Sequence, residues 1–398
     1  MRPQAIAALL LAPAVALAQP ARQPAPPAPM DPARDISDLL GPILEKRKVP
    51  GMAAAAILDG RIVAVGAAGL RELGKPDKAA VTDLWHLGSC TKAMTATLAA
   101  VMVEKGELSW DSTLPAVFPE LTLKDAWKPA TLRHFTTNHA GVPTSLDAGG
   151  LWARLWAFKG SPTEARLELL KTVAQWDPEA PPGTKFIYSN GGFAIAGAML
   201  EKTAGKPWED LLTDRIFRPL GITSAGFGAP GSKDSVDQPR GHRGGEATPP
   251  GPGADNPAAI GPAGTVHMTI TDWARFAMAH ADGEWTPTDA PDTPAGRLLP
   301  PGAWKRLHTP DRTGTKGEKD DYAAGWMVTT RPWAKGKAPG DTGRVLTHNG
   351  SNTMWFCVAW VAPERRFAVV VATNQGDGEA AKAADDAAAA IIRDTLKP

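Results

Sequence analysis

The sequence lacks an excess of charge of either sign, which argues against several classes of function. Its 398 residues include 43 lysines and arginines against 42 aspartates and glutamates, and no stretch gathers basic side chains on one face. Proteins that bind nucleic acids or anionic lipids by bulk electrostatics usually carry a basic excess or stripe. We therefore expect no nucleic-acid partner and no electrostatic role at a membrane surface.

Cysteine is also scarce, and the familiar metal-binding spacings are absent. The chain has two cysteines and eight scattered histidines, with no His-Glu-X-X-His motif and no paired-cysteine motif. Such spacings are what bring zinc ligands together, so we expect neither a metal site nor a cofactor. No Gly-X-Ser-X-Gly occurs either, which disfavours an α/β-hydrolase.

The N-terminal segment has the pattern of a targeting sequence. Residues 1–18 run from Arg2 through an apolar stretch to Ala16-Leu17-Ala18, as in a signal peptide cleaved after Ala18. This stretch is shorter than the roughly 20 residues of a membrane span, and no later run is long enough, so no membrane span is expected. Residues 19–34 are rich in proline and alanine and predict a flexible or polyproline-like tether. We expect a periplasmic or secreted protein whose folded part begins near Asp35.

Strand-forming segments lie at both ends of the folded part and predict one sheet. Near the start, a helix that ends before Pro50 precedes two apolar runs joined by Asp59-Gly60, a hairpin turn signal. Four more strands and a closing alanine-rich helix are predicted near the C-terminus: residues 322–330, 344–348, 353–361 and 367–373, then 378–396.

The long region between these segments predicts a mainly helical insert. The expected fold is α/β, an antiparallel sheet flanked by N- and C-terminal helices. We expect one folded domain, residues 35–398, with a sheet subdomain (35–80 plus 318–398) and an inserted helical subdomain (81–317). Two stretches dense in glycine, proline and polar residues, 229–257 and 281–301, predict surface or rim loops.

The first candidate site element is Gly88-Ser89-Cys90-Thr91-Lys92. Apolar residues at helical spacing follow it, so Ser89 is expected at a helix N-terminus. The three-residue offset places Lys92 on the same face one turn later, within reach of the serine hydroxyl. If Lys92 is buried, desolvation lowers its pKa and a neutral amine can take the serine proton. Alone, the pair is equally compatible with an exposed serine and lysine on a helix surface.

The second element is Tyr188-Ser189-Asn190, on a loop that enters a helix. Beside Lys92, the Tyr188 phenol could act as a general base or proton relay, and the Asn190 amide could bind Lys92 and a substrate carbonyl. Taken alone, a packed tyrosine with a locally satisfied hydroxyl is the simpler interpretation.

The third element is His348-Asn349-Gly350-Ser351, at the end of a predicted strand. A glycine here is expected to let a substrate approach the backbone closely. The backbone amides of Ser351 and Ser89 could then form an oxyanion hole. Taken alone, His348 would be read as a strand-end histidine on a polar loop.

Together and in this order, the three elements resemble the class C β-lactamase and penicillin-binding-protein superfamily, which includes D-peptidases and β-lactamase-like esterases. Its signature is Ser-X-X-Lys, then Tyr-X-Asn, then Lys-Thr-Gly or a variant such as His-X-Gly. The resemblance covers roughly residues 35–373 and includes three further segments: 132–143, 181–221 and 261–264.

The resemblance implies that Ser89 is the nucleophile and that Lys92 and Tyr188 share proton transfer, with the base between them left open. Asn190, His348, Asn349, Gly350 and Ser351 would bind the substrate or the oxyanion. The substrate would be a small molecule or peptide, and a monomer is the default.

Departures in the third motif bear on the substrate. His348 stands where other members have a permanent cation, and a histidine is mostly neutral at pH 7 unless its site raises its pKa. A substrate carboxylate then gains less charge-assisted hydrogen bonding. Within the family, His-X-Gly also resembles the D-peptidase and esterase-like branches more than efficient β-lactamases. The resemblance therefore ranks an esterase or D-amino-acid peptidase above a β-lactamase, with a catalytically silent peptidoglycan- or peptide-binding protein as the non-enzymatic alternative.

The two cysteines leave one question open. Cys90 lies beside the candidate nucleophile and Cys357 shortly after the third motif. An exported protein meets an oxidising environment, so a disulfide is conceivable, but two small buried thiols are the favoured interpretation.

Overall fold

Thirteen strands and thirteen helices form the part of the chain that the structure, a computed structural model, describes: residues 32–251, 253–285, 294–310 and 321–397. The strands are β1 (Arg34–Asp35), β2 (Gly51–Leu58), β3 (Arg61–Gly69), β4 (Leu84–His86), β5 (Gly226–Phe227), β6 (Gly241–Arg243), β7 (Glu246–Thr248), β8 (Val266–Thr269), β9 (Asp321–Ala323), β10 (Trp326–Thr330), β11 (Arg344–Ser351), β12 (Phe356–Ala362) and β13 (Phe367–Thr373). The helices are α1 (Ser37–Arg47), α2 (Thr91–Glu104), α3 (Leu114–Val117), α4 (Leu132–Thr136), α5 (Leu151–Ala157), α6 (Pro162–Val173), α7 (Asn190–Ala204), α8 (Trp208–Leu212), α9 (Gly261–Gly264), α10 (Ile270–Asp282), α11 (Pro294–Leu298), α12 (Pro301–Leu307) and α13 (Gly378–Thr395).

One sheet joins the two ends of the described chain. Its strand order is β1-β3-β2-β13-β12-β11-β10-β9, and only the β1–β3 pair is parallel. Between β3 and β9 the chain is mainly helical, with a small sheet β4-β8-β5 and the hairpin β6-β7. The predicted α/β architecture, an antiparallel sheet with flanking helices and a long helical insertion, is confirmed.

Helices cover both faces of this sheet. On one face α1 and α13 pack against β2, β3, β12 and β13. Alanines of α13 lie fully buried there, and their small side chains let the helix approach the strands closely. On the other face α10 packs against β2 and β13. The buried apolar side chains form two clusters, one on each face of the sheet, and the larger one extends from the α10 face into the helical region. The helical region therefore packs against one face of the sheet through this larger cluster.

Several predicted boundaries are confirmed. The hairpin turn at Asp59-Gly60 has positive φ at both residues, 48° and 74°, as a two-residue hairpin turn requires. Strand β13 has the predicted bounds, and α13 ends one residue before the predicted end. The folded part begins one residue before the expected Asp35, since Arg34, the last residue of the predicted tether, pairs with Ala64 of β3.

Other boundaries differ from the prediction. The strand predicted over residues 322–330 is two strands, β9 and β10, joined by a tight turn at Ala324-Gly325. Gly325 has φ 75°, and a Cβ there would lie 2.6 Å from the Cα of Ala93 in α2, so the turn packs directly on that helix. The first predicted loop, 229–257, contains the β6-β7 hairpin, and the second contains α11. Residues 1–31, 286–293 and the predicted boundary at 318 lie outside the described residues.

A buried ion cluster joins three helices of the insertion. The fully buried Arg166 of α6 donates to Glu201 of α7 over 2.6 Å and to Glu209 of α8 over 2.7 Å. Its Nη1 also donates to the carbonyl of Ala258, over 3.1 Å. One guanidinium thus pairs with two carboxylates, of which Glu201 is buried and Glu209 is partly exposed.

We expect Arg166→Met to lower the free energy of unfolding by about 3 kcal/mol, because it leaves the buried carboxylate of Glu201 and the 20% exposed carboxylate of Glu209 without their cation. Urea denaturation followed by circular dichroism measures the change. The matched control is Arg218→Met, since Arg218 is 74% exposed in its ion pair with Asp214 and should change stability by less than about 1 kcal/mol. Equal losses in the two variants would contradict the assignment.

None of the helices in the described ranges is both long and apolar enough to cross a bilayer.

Candidate active site

Ser89 lies in a tight turn that opens the buried helix α2. The turn, Gly88–Cys90, is 3₁₀ and runs directly into α2, so the predicted helix N-terminus is confirmed. His86 holds the turn from behind: the Gly88 N–H donates to His86 Nδ1 over 3.1 Å, and His86 Nε2 lies 2.8 Å from Asp255 Oδ1. Ser89 itself is half-buried, so its hydroxyl is within reach of a small molecule.

Lys92 lies one turn further along α2 and is fully buried. Its Nζ is 3.0 Å from Ser89 Oγ, 2.7 Å from Asn190 Oδ1 and 2.9 Å from the carbonyl oxygen of Ala263. Burial lowers the pKa of Lys92 from 10.5 to about 7. Near neutral pH a large fraction of this amine is therefore uncharged, with a lone pair that can accept the serine proton.

Tyr188 completes the contact around the serine hydroxyl. Its hydroxyl is hydrogen-bonded to the Ser89 side chain, and its ring centre lies 4.7 Å from Lys92 Nζ. Burial raises the pKa of Tyr188 to about 12. Because the phenol keeps its proton at neutral pH, it is a hydrogen-bond donor there, whereas Lys92 is the stronger candidate base.

The loop that carries Tyr188 is fixed by a second loop. Asn138 accepts the N–H of Ser189 on its side-chain oxygen, over 3.0 Å, and the N–H of Ile187 on its backbone oxygen, over 2.8 Å. Thr144 donates to the Tyr188 carbonyl over 2.9 Å. Ser189 then caps α7 by accepting the N–H of Gly192. These bonds place Tyr188 and Asn190 on either side of Lys92.

Two glycines allow strand β11 to approach the nucleophile turn. A Cβ on Gly88, where φ is 45°, would lie 2.4 Å from the Ser351 nitrogen. A Cβ on Gly350 would lie 2.0 Å from the Leu87 carbonyl oxygen. Gly350 therefore makes room for the turn, and its predicted contact with a substrate stays a prediction. The close approach brings the Ser351 amide next to the turn that carries Ser89.

The outer edge of β11 is available to an extended ligand. Pairing with β10 stops at Thr347, whereas pairing with β12 continues to Ser351. Along the described chain, no strand pairs with the other edge of Asn349–Ser351. The side chains of Asn349 and Ser351 are exposed. A peptide-like substrate could add to this edge through main-chain hydrogen bonds.

His348 occupies the predicted motif position, but its side chain is already engaged. Its Nδ1 lies 2.6 Å from the carbonyl oxygen of Asn349 and its Nε2 lies 3.1 Å from the hydroxyl of Tyr322. A carbonyl can only accept, so Nδ1 carries the proton and Nε2 accepts from the tyrosine. Burial, assisted by the nearby charge of Lys92, lowers the pKa of His348 to about 4. Both ring nitrogens of His348 are therefore engaged within the protein, and its predicted contact with a substrate stays a prediction.

Tyr322 and Ala263 are site residues that the motifs did not identify. Tyr322 is buried and orients His348, and burial raises its pKa well above 10, so it stays a donor. The chain has only two tyrosines, and this scarcity could have indicated Tyr322 as a candidate site residue. Ala263 contributes only a backbone carbonyl to Lys92, and no side-chain pattern can reveal such a contact. Among the described residues, no cluster of potential ligands could hold a metal ion.

Comparisons with known proteins agree with the family that the three motifs indicate. The beta-lactamase family model matches residues 36–393. A beta-lactamase of Escherichia coli (strain K12) is 30% identical over 241 residues, 60% of this chain and 58% of that protein. Penicillin-binding protein 4 of Amycolatopsis lactamdurans is 30% identical over 241 residues, 59% of this chain and 60% of that protein. The chain thus spans about 60% of the length of the curated relatives it matches.

Structural similarity extends over more of the chain. The octameric penicillin-binding protein homologue from Pyrococcus abyssi has a TM-score of 0.69 at 21% identity, over 88% of this chain and 75% of that one. At this level of identity the likeness concerns the fold alone.

Proposed function

The chain belongs to the beta-lactamase family, and on that premise we propose that it is an exported serine hydrolase that cleaves an ester or amide through an acyl-enzyme on Ser89. We place it with esterases or D-amino-acid peptidases. The observation that carries the proposal is the 3.0 Å contact between Ser89 Oγ and a fully buried Lys92 whose pKa is about 7.

Acylation would begin with proton transfer from Ser89 to neutral Lys92. The serine oxygen then attacks the carbonyl carbon, and the backbone amides of Ser89 and Ser351 stabilise the negative oxygen that develops. When the tetrahedral intermediate collapses, the leaving alcohol or amine takes a proton that Lys92 and Tyr188, both hydrogen-bonded to Ser89 in the free protein, can deliver. Water, deprotonated by the same pair, then attacks the acyl group and releases the acid and free Ser89.

The third motif supports a substrate without a carboxylate at this position, such as an uncharged ester, over a β-lactam. Position 348 supplies no cation, because His348 stays neutral, and both of its ring nitrogens are occupied by Asn349 and Tyr322. A substrate carboxylate therefore gains no charge-assisted bond from this residue. β-Lactam hydrolysis remains the second candidate, since the same acyl-serine chemistry serves it and relatives 30% and 28% identical are named beta-lactamases.

Substrate preference is tested with three compounds. The mature protein is given a p-nitrophenyl ester of a short acid, a chromogenic cephalosporin and a peptide ending in D-Ala-D-Ala, and intact mass is recorded after treatment with a serine-reactive phosphonate. We expect labelling and turnover, with kcat/KM for the ester or peptide at least about tenfold above that for the cephalosporin. The reverse order would identify a β-lactamase, and absence of both labelling and turnover would favour a silent binding protein.

The neutrality of His348 predicts how substrate affinity depends on pH. Its depressed pKa means that His348 gains charge only as pH falls towards about 4. Between pH 5 and 8 it therefore contributes no pH dependence to the KM of a substrate with a free carboxylate. We compare the KM of that substrate with the KM of its neutral amide across this range, in the wild type and in His348→Gln. The ratio of the two KM values should follow the same pH dependence in both proteins. A ratio that changes about tenfold in the wild type alone would assign a charged His348 to the substrate.

The export part of the proposal rests on residues 1–18 alone. Expression of the full chain in a Gram-negative host, followed by fractionation and N-terminal sequencing, tests it. We expect periplasmic protein that begins at Gln19. An uncleaved cytoplasmic chain would contradict export and leave the hydrolase proposal untouched.

A further inference from the structure

Cys90 and Cys357 meet directly beneath the candidate site, although they are 267 positions apart in the chain. Their Sγ atoms are 3.5 Å apart, both side chains are buried, and both are thiols in the structure. They are the only cysteines of the chain. Neither thiol therefore has an alternative partner within the molecule.

The pair lies in the seam between the nucleophile turn and the sheet. Cys90 directly follows Ser89, and its Sγ contacts the carbonyl oxygen of His348 at 3.3 Å. Cys357 lies in β12 opposite Gly350, and its Sγ contacts the carbonyl oxygen of Leu87 at 3.0 Å. The Cys357 thiol thus touches the residue that precedes the turn of Cys90, and the Cys90 thiol touches β11, the strand paired with the β12 strand of Cys357.

We propose that Cys90 and Cys357 form an intramolecular disulfide in the exported protein, which links the turn of Ser89 covalently to the central sheet. The proposal uses only the export part of the proposed function. A disulfide bond is about 2.05 Å long, so the sulfurs need to close by roughly 1.5 Å, a displacement within reach of side-chain rotation and small backbone shifts.

The oxidation is a thiol–disulfide exchange with an external disulfide such as oxidised glutathione or a periplasmic dithiol oxidase. One cysteine thiolate attacks the oxidant to give a mixed disulfide and releases one thiol. The second cysteine then attacks the mixed disulfide, forms the Cys90–Cys357 bond and releases the second thiol. The protein loses two protons and two electrons, and the oxidant gains both pairs. Since both cysteines are buried, the exchange should be fast during folding and slow in the folded, reduced protein.

The link would stabilise the site as well as the fold. It closes a very long loop, which removes conformational freedom from the unfolded chain. It also fixes the spacing between the turn that contributes the Ser89 amide and the strands beside the Ser351 amide. Burial would protect the bond from soluble reductants until the protein unfolds.

Peptide mapping tests the proposal without any substrate. The unfolded, reduced protein is refolded in a glutathione redox buffer, alkylated under denaturing conditions, digested without reduction and analysed by mass spectrometry. We expect a peptide pair joined through Cys90 and Cys357, and the same pair from protein purified from periplasm. Two alkylated thiols after refolding, or disulfide-linked dimers, would overturn the proposal. The refolding arm is independent of export, and the mapping is independent of hydrolase activity.

Thermal unfolding with matched variants tests the consequence. The oxidised wild type should melt about 3–6 °C above the reduced wild type, and should keep its activity longer at elevated temperature. Cys357→Ser and Cys90→Ser retain one thiol each and should show no difference between oxidising and reducing buffers. The same redox-dependent shift in either single variant would contradict an intramolecular bond.

Discussion

Ser89→Ala should lower kcat/KM for the p-nitrophenyl ester by about 10⁴-fold or more, because no other group near Lys92 can form the acyl-enzyme. The same variant should lose the mass increase that a serine-reactive phosphonate adds to the wild type. Its thermal midpoint should change little, since the side chain is small and half-buried. Together, lost turnover and an intact fold would identify Ser89 as the nucleophile.

Ser235→Ala is the matched control for this prediction. Ser235 lies on an exposed part of the loop before β6, so its loss should leave both turnover and labelling unchanged. If Ser89→Ala kept more than about a tenth of the wild-type turnover, the acyl-serine mechanism would have to be abandoned.

Lys92 predicts the pH profile of the same reaction. With a pKa of about 7, the amine loses its proton as pH rises through neutrality, and only the neutral form can act as a base. We expect kcat/KM of the free enzyme to rise about tenfold per pH unit below 7 and to level off above it. Initial rates at low concentration of an uncharged ester, between pH 5 and 9, measure this limb. A profile without a pKa between about 6 and 8 would contradict the role of Lys92.

Two substitutions of Lys92 distinguish a role as a general base from a role as a positive charge. Lys92→Met removes both, and Lys92→Arg keeps a cation that does not give up its proton in proteins. Both variants should lose about 10²- to 10⁴-fold in kcat/KM, and both should lose the rising limb of the pH profile. Lys382→Met, on the exposed face of α13, should behave as the wild type. If Lys92→Arg retained most of the activity, Lys92 would act through its charge and Tyr188 would become the candidate base.

The motif alone did not determine the charge or the contacts of His348. The position in the motif suggested a substrate contact, and the unperturbed pKa of histidine left its charge undecided. The structure places His348 between Tyr322 and the Asn349 carbonyl and buries it, so it is neutral and holds the strand in place. The same applies to Gly350, whose missing side chain accommodates the Leu87 carbonyl. Both residues act on the site by shaping β11 beside Ser89.

The amino-acid sequence by itself determined the local features of this protein. The 3.6-residue period of a helix places Lys92 one turn after Ser89, the Asp59-Gly60 pair makes a hairpin, and apolar runs become the strands of the sheet. These features depend on neighbours within a few residues, and the ordered set of three motifs was enough to indicate the family.

Only the tertiary structure decided the chemical state of the site. The depressed pKa of Lys92 depends on its complete burial, and the segments that carry Asn190 and Ala263, 98 and 171 positions away, contact its amine. The hydrogen bond at Nε2 of His348 depends on Tyr322, 26 positions away, and the contact of the two thiols depends on β12 reaching the turn of Ser89. Desolvation and hydrogen bonding act through space, so the pKa values of the groups around Ser89 depend on how distant segments of the chain pack together.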